Sequence, residues 1–570
     1  MAADGVGSFA LVLHTHLPFV LGHGRWPHGS DWLMEVAAGC YLPLLDTIGE
    51  AAASGVSPRI TIDVSPVLAG QLAAPAFRSE FEEYLRARIS SARENRQEFA
   101  AANQPELAHL AEGWEGFYRD RLQQFERLNG DLVGALRALA DQGHVTLITC
   151  AATHGYLPLL SREESIALQL RVAVTAHRRH FGRAPDGIWL PECAYRPRYE
   201  WTPPVGPHKG GGRVRRRGIE EFMADAGLKF FITDVHLMRG GSPLSAYRDY
   251  YPALQQLSGP QPPSYRPDRT PYRPYLVASR GGHGTATAFV RDPDSTLQVW
   301  SRDRGYPGDG SYLEFHKKHF PGGLRYWRVT DAKVDLGGKQ LYEPARAQER
   351  VQAHAGHFVD LLRGVLTANP EGPHAVVCSP YDTELFGHWW FEGPRWLAEV
   401  FARLPQARIA PVDCVTYLET YPPDTTITLL EGSWGEGGDH RVWLNPHTEW
   451  TWERIYAAED EFWTLARQAG TYATDPARRV ASQLARELLL MQASDWQFLI
   501  TTWAARDYAE ARIAEHHATF TRLAQALRRL LAGGAMPPAE EEFLAACEAQ
   551  DFLFPDILSH VAEACRVPAA

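Results

Sequence analysis

Two carboxylates stand in the least ordinary stretches of the chain: Glu192 in GIWLPECAYRP and Asp382 in CSPYDTELFGHWWFEG. Each follows a short apolar run, GIWL or HAVVCS, that reads as a buried strand. Trp, Tyr, Phe, Pro and His surround both. Aromatic rings stack on pyranose faces, and a low-dielectric setting raises a carboxyl pKa enough to hold a proton near neutrality. A carboxylate pair so placed suits glycosidic-bond chemistry, one acid acting as nucleophile and the other as general acid and base.

Other ionisable groups also fall at strand ends. His14 and His16 follow the first apolar run and Asp63 the second, His154 lies just past the third, and Asp234 and His236 follow the fifth. Buried ionisable groups cost stability unless used or paired, so the set points to a functional mouth. Two chemistries fit it. In one, His14, His16, His154 and an Asp hold a divalent metal that activates water, as in a deacetylase or amidohydrolase. In the other, Glu192 and Asp382 cleave sugar linkages, the three His bind sugar hydroxyls, and no metal or organic cofactor is needed. A metal site has no use for FGHWWFEG, which favours sugar. Trp26, Trp300 and Trp443 are further stacking candidates. Cys193, beside Glu192, reads as a small buried residue rather than a nucleophile.

The elements that must position these groups alternate. Candidate strands are Phe9–His14, Arg59–Val64, His144–Cys150, Gly187–Leu190, Lys229–Thr233, Leu297–Trp300 and His374–Ser379, with helical patterns such as Ser161–Phe181 and Pro344–Leu366 between them. Continuous apolar strands separated by helices imply a parallel sheet, and over this length a barrel. The stretch Pro75–Gln142 is helical throughout and exceeds one crossover, so it reads as an inserted helical subdomain. Ser242–Arg280 is rich in Pro, Tyr and Arg and reads as a lid-like loop. After about Asp413 the strands stop, and Glu449–Ala469, Pro476–Ala493 and Ala505–Ala532 have amphipathic helical spacing. The expected division is a catalytic barrel over 1–412 and a helical domain over 413–570.

The chain has 570 residues, 45% of them hydrophobic, with 17 Trp, 22 Tyr and a net charge of -11. That charge speaks against a nucleic-acid partner. The basic run Gly210–Gly218 reads as a solvated loop. Seven scattered cysteines without a C-x-x-C pair suit a reducing compartment. The first apolar stretch is too short to span a bilayer and has no basic lead-in. A cytoplasmic monomer that does not bind a membrane is expected.

LHTHLPF, THGYLPLL, WLPECAY, SPYDTELFGHWWFEG and ASDWQFLITT, in that order, resemble the ordered sequence regions of glycoside hydrolase family 57. Within it they resemble the members that branch 1,4-α-glucans. The resemblance runs from the first strand to the C-terminal helices. It implies a (β/α)7 barrel with a helical insertion and a C-terminal helical domain, acting on amylose, glycogen or maltodextrin. It implies Glu192 as nucleophile and Asp382 as general acid/base of a retaining transfer to a sugar 6-hydroxyl. It also implies sugar-binding roles for Arg291 in FVRDP, Gly308 in GYPGDG, Trp434 in GSWGEGG and Asp495 in ASDWQ. A loop tyrosine among Tyr247, Tyr250, Tyr251, Tyr265 and Tyr272 is expected to favour transfer. The alternatives are a 4-α-glucanotransferase, an α-amylase-like hydrolase and a non-catalytic glucan binder.

Overall fold

The structure is a computed structural model that describes residues 5–206, 209, 212–248, 250–301, 304–331, 333–468 and 470–567. Seven parallel strands form its centre: β1 (Gly7–Thr15), β2 (Ile60–Val64), β3 (Val145–Cys150), β4 (Gly187–Trp189), β5 (Phe230–Thr233), β6 (Ala286–Val290) and β7 (Val376–Asp382). They pair in sequence order from β1 to β6, and β1 also pairs with β7. The ring closes where Arg291, just past β6, bridges Cys378 of β7 and the Asp292 amide donates to the Cys378 carbonyl at 2.8 Å. This is a (β/α)7 barrel. β1 and β2 are buried along their whole length, as their unbroken apolar runs require.

One expected strand is misplaced. Leu297–Trp300 lies in a helix, Pro293–Trp300, and the sixth strand is Ala286–Val290. Asp292 caps that helix through the Ser295 amide, with Pro293 at its first position. This cap chemistry outweighs the apolar content of the stretch. Strand pairing also persists past Asp413: Thr426–Ile427 runs parallel to Tyr275–Val277, which lies inside the expected lid.

Between β2 and β3 the chain forms a helical hairpin, α1 (Pro75–Ala101) with α2 (Pro105–Arg127), followed by Leu132–Asp141. On α1 the buried Phe77, Phe81, Tyr84, Leu85, Ile89 and Ala92 fall on one face at helical spacing. The hairpin docks on the segment before Pro344. Trp114 Nε1 donates to the Arg325 carbonyl at 2.5 Å, and Asn95 Nδ2 to Tyr326 Oη at 2.8 Å. The C-terminal helices include Glu449–Ala466, Asp475–Met491, α3 (Asp495–Thr502) and Arg506–Leu531.

The basic run is solvated over 212–215, but it is part of a short hairpin and its second half turns inward. Val214–Arg216 pairs antiparallel with Tyr199–Trp201. Arg216 and Arg217 are buried; Arg216 Nε lies 3.4 Å from Glu163, and Arg217 Nη2 donates to Asp225 at 2.7 Å. Gly210 and Gly211 lie outside the described residues, as do Pro207 and His208 before them and Asp249 of the expected lid. Among the described residues no helix is long and apolar enough to cross a membrane.

Candidate active site

Register brings the first groups together. His14 of β1 sits level with Asp382 of β7 on one side and Asp63 of β2 on the other. All three stand at the C-terminal end of the barrel, where parallel strands aim their last side chains into one mouth. β4 ends at Trp189, and Glu192 follows in a tight turn with φ of 62°, Cys193 at 48°. Left-handed backbone at two consecutive non-glycine residues is strained, and it turns the Glu192 carboxyl into the mouth. Gly387 does similar work for the FGHWW turn. Its φ is +114°, and a Cβ there would lie 2.0 Å from the Gly39 carbonyl oxygen.

Glu192 and Asp382 line one cavity of about 750 Å³. Trp434 Nε1 donates to Glu192 Oε2 at 2.9 Å, and Ser494 Oγ donates to Oε1 at 2.9 Å. Tyr247 Oη donates to Asp382 Oδ2 at 2.7 Å. Burial pushes Glu192 up to about 8, against the hydrogen bonds from Trp434 and Ser494, with the charges of Asp495 and Asp382 adding to the rise. Burial also pushes Asp382 up to about 6, opposed by the Tyr247 hydrogen bond and by Arg291 and His16. Taken alone, those two shifts put the proton on Glu192. The donors argue otherwise. An indole N–H cannot accept, so Oε2 of Glu192 must stay bare, and a proton on Oε1 would have to turn the Ser494 hydroxyl away, whereas Asp382 is held by the Tyr247 hydroxyl, which can turn and accept. We therefore place the shared proton on Asp382.

Behind Glu192 runs a chain of polar groups. Asp63 Oδ2 meets His14 Nδ1 at 2.5 Å, His14 Nε2 meets His154 Nε2 at 3.0 Å, and His154 Nδ1 meets Ser494 Oγ at 2.8 Å. Ser494 Oγ thus bridges His154 Nδ1 and Glu192 Oε1. Burial, then His16, holds the His14 imidazole low, and burial, His16 and His14 do the same to His154. Both rings are therefore neutral. His16 stacks on His154 with centroids 4.0 Å apart, and its Nε2 meets the Asp495 carboxylate at 3.0 Å. Ser494 and Asp495 open α3, so a C-terminal helix completes a site begun on β1.

His14, His16, His154, Trp434 and Asp495 all line the cavity, as does Trp26, 71% exposed. Four other expected residues do not. Arg291 is buried behind Trp434; it pairs with Asp234 at 3.0 Å and lies 5.2 Å over the indole ring, so it supports the platform instead of facing sugar. Gly308 is exposed in a short 3₁₀ turn, Tyr306–Gly308. Trp300 is buried behind Tyr247, ring centroids 5.1 Å apart. Trp443 is in the core, stacked on Tyr156 at 4.6 Å. The 432–438 loop packs closely on it: a Cβ on Gly435 would lie 2.7 Å from the Trp443 ring.

Ser494 and Glu384 were not singled out from sequence. Glu384 accepts from Tyr41 Oη at 2.7 Å and from the His16 amide at 3.2 Å. Its place two residues after Asp382 was the available signal. Among the expected tyrosines, Tyr247 is the one bonded to Asp382. Cys193 is buried, and burial pushes its thiol far up, which leaves it inert. Clusters able to hold a cation exist, among them His16, His154 and Asp495. Their ring nitrogens and carboxylate already meet one another or Ser65 and Ser494.

A barrel whose mouth presents two carboxyls among aromatic rings defines a glycoside-processing protein. The glycosyl hydrolase family 57 model matches residues 10–429, and a 1,4-alpha-glucan branching enzyme C-terminal model matches 454–561. The chain belongs to glycosyl hydrolase family 57. It is 41% identical over 527 residues to a 1,4-alpha-glucan branching enzyme of Thermococcus kodakarensis, covering 92% of this chain and 74% of that one. It is 32% identical over 544 residues to a probable 1,4-alpha-glucan branching enzyme of Mycobacterium tuberculosis, covering 90% and 91%. Among solved structures, the branching enzyme of Pyrococcus horikoshii aligns over 98% of this chain and 97% of that one, with a TM-score of 0.86 and 39% identity. The α-amylase AmyC of Thermotoga maritima aligns over 98% and 99%, with a TM-score of 0.79 and 26% identity.

Proposed function

We propose that this chain is a 1,4-α-glucan branching enzyme that works by a retaining double displacement. Glu192 attacks the anomeric carbon of an internal α-1,4 linkage while Asp382 gives its proton to the departing 4-oxygen. A glucanyl ester on Glu192 results. Asp382, now a carboxylate, takes the proton of an incoming 6-hydroxyl. The C1–O6 bond forms, the ester breaks, and Glu192 is free again. The observation that carries this reading is the asymmetry of the two carboxyls in one aromatic cavity. One oxygen of Glu192 faces a donor that cannot accept and the other faces the Ser494 hydroxyl, whereas Asp382 is held by a hydroxyl that can do either. Similarity to branching enzymes over nine-tenths of the chain supports transfer over hydrolysis. Tyr247, Trp434 and the stacked His16 and His154 crowd the mouth, which disfavours free water as the acceptor.

We also propose the division into a catalytic barrel over 1–412, carrying the 75–142 insertion, and a helical domain over 413–570. The working form is taken to be a cytoplasmic monomer, since one chain supplies both carboxyls and the groups that touch them.

Proton NMR of the product made from amylose tests the activity: new α-1,6 anomeric signals are expected, and shortened linear chains alone would point to a hydrolase or a 4-α-glucanotransferase. The pH profile tests the shared proton. The pair titrates with macroscopic values of about 6 and about 8. Below the lower value Glu192 also becomes protonated and the nucleophile is lost. Above the upper value no proton remains for the leaving oxygen. A bell with limbs near those values is expected; a flat profile from about pH 5 to about pH 9 would count against the pair.

A further inference from the structure

The cavity does not end at the two acids. Leaving Asp382, it passes Tyr247 and then Trp389, whose ring lies 6.3 Å from Trp300 and 6.0 Å from His388. His388 in turn meets Phe315 edge-on at 5.2 Å. Beyond them the wall is the α1–α2 hairpin on one side and the segment 315–325 on the other. Arg88 of α1 donates to the Gly322 carbonyl and so ties the two sides together.

This arm combines flat rings with placed polar groups. The Arg325 guanidinium lies 5.9 Å over Trp114 of α2 and 6.0 Å over Phe391. Lys318 Nζ meets Glu35 at 3.1 Å, so cation and anion are paired rather than displayed for an ionic ligand. His388 is buried, and its Nδ1 has no hydrogen-bond partner; Glu35 Oε1 lies 4.0 Å away. Phe320, 63% exposed, marks the rim. Rings for pyranose faces beside a neutralised ion pair suit a neutral, hydroxyl-rich chain.

Which chain it takes follows from the acid. In a double displacement the leaving oxygen departs, and the incoming hydroxyl arrives, on the side of the acid/base carboxyl. The arm is reached from Asp382 through Tyr247. We infer that the α1–α2 hairpin and segment 315–325 form the acceptor site, which takes a second α-glucan chain and presents its 6-hydroxyl to Asp382. The inference rests on the branching reading. It gives the helical insertion a part in the chemistry, because Glu192 holds the donor fragment as an ester and the arm supplies the O6 that displaces it.

The test uses the full-length enzyme with Phe320→Ala and Lys318→Ala, both on the cavity's outer reach. Two rates are compared: the first-turnover burst of fluoride release from an α-maltooligosyl fluoride, which reports ester formation, and α-1,6 bond formation on added glucan. Branching is expected to fall about five- to tenfold more than fluoride release does, with a higher KM for acceptor glucan. Equal falls in both rates would assign the arm to the donor and overturn the inference, as would an unchanged ratio in both variants. Wild-type enzyme that makes no α-1,6 bonds at all would overturn the branching reading itself, whereas wild-type branching with unaltered variants would overturn the acceptor arm alone.

Discussion

Glu192→Gln is expected to fold, bind glucan and turn over at least about 10³-fold more slowly, because an amide cannot form the ester. The amide oxygen can still accept from Trp434 or Ser494. The same change should stabilise the fold as pH rises. Burial raises both carboxyls of the pair, from 4.5 and 3.8 in the unfolded chain to about 8 and about 6 in the folded protein. Below about pH 4 both are protonated whether folded or not, and the folded state keeps its full stability. As pH rises from there to about 8 the unfolded chain sheds its protons first, so the folded state loses stability on the order of a few kcal/mol. Glutamine leaves one titrating carboxyl in place of two, so the variant loses less over this range. The Tm difference between variant and wild type should therefore grow from about pH 5 to about pH 8. Near-normal turnover would reassign the nucleophile, and a constant Tm difference would refute the burial argument.

Asp382→Asn should separate by leaving group. With glucan as donor the 4-oxygen needs a proton, and a loss of about 10²- to 10⁴-fold is expected. With a glycosyl fluoride the leaving group needs little help, so the first step should survive. The second step, lacking a base, should then stall, and the glucanyl ester on Glu192 should appear as a mass increase in the intact protein. Equal losses with glucan and fluoride would mean that Asp382 is not the acid.

Much of this site was legible because its residues announce strand ends. HTH after an apolar run, ECAY after GIWL and YDTEL after VVCS each mark a place where a buried strand meets a mouth. Parallel register then puts His14, Asp63 and Asp382 level without further information. What was not legible depends on contacts across the chain. Ser494 reaches Glu192 only because α3 begins against His154, whose carbonyl accepts the Ser494 amide at 3.0 Å. The 315–325 segment shows no regular period, and its value lies in facing a hairpin far earlier in the chain. Arg291 and Trp443 misled in one way: each was taken to face the opening, while the fold buries Arg291 behind Trp434 and Trp443 against Tyr156. The sixth strand was placed on LQVW although ATAFV is the more apolar run, and the Asp-Pro step that opens the Pro293–Trp300 helix is the local signal that separates the two.

The start of α3 ties the barrel's chemistry to the far end of the chain. A chain cut short before Ser494 would still carry both carboxyls, yet Glu192 would lack the Ser494 hydroxyl and His16 the Asp495 carboxylate. Truncation there is therefore expected to cost activity even where the barrel itself stays folded.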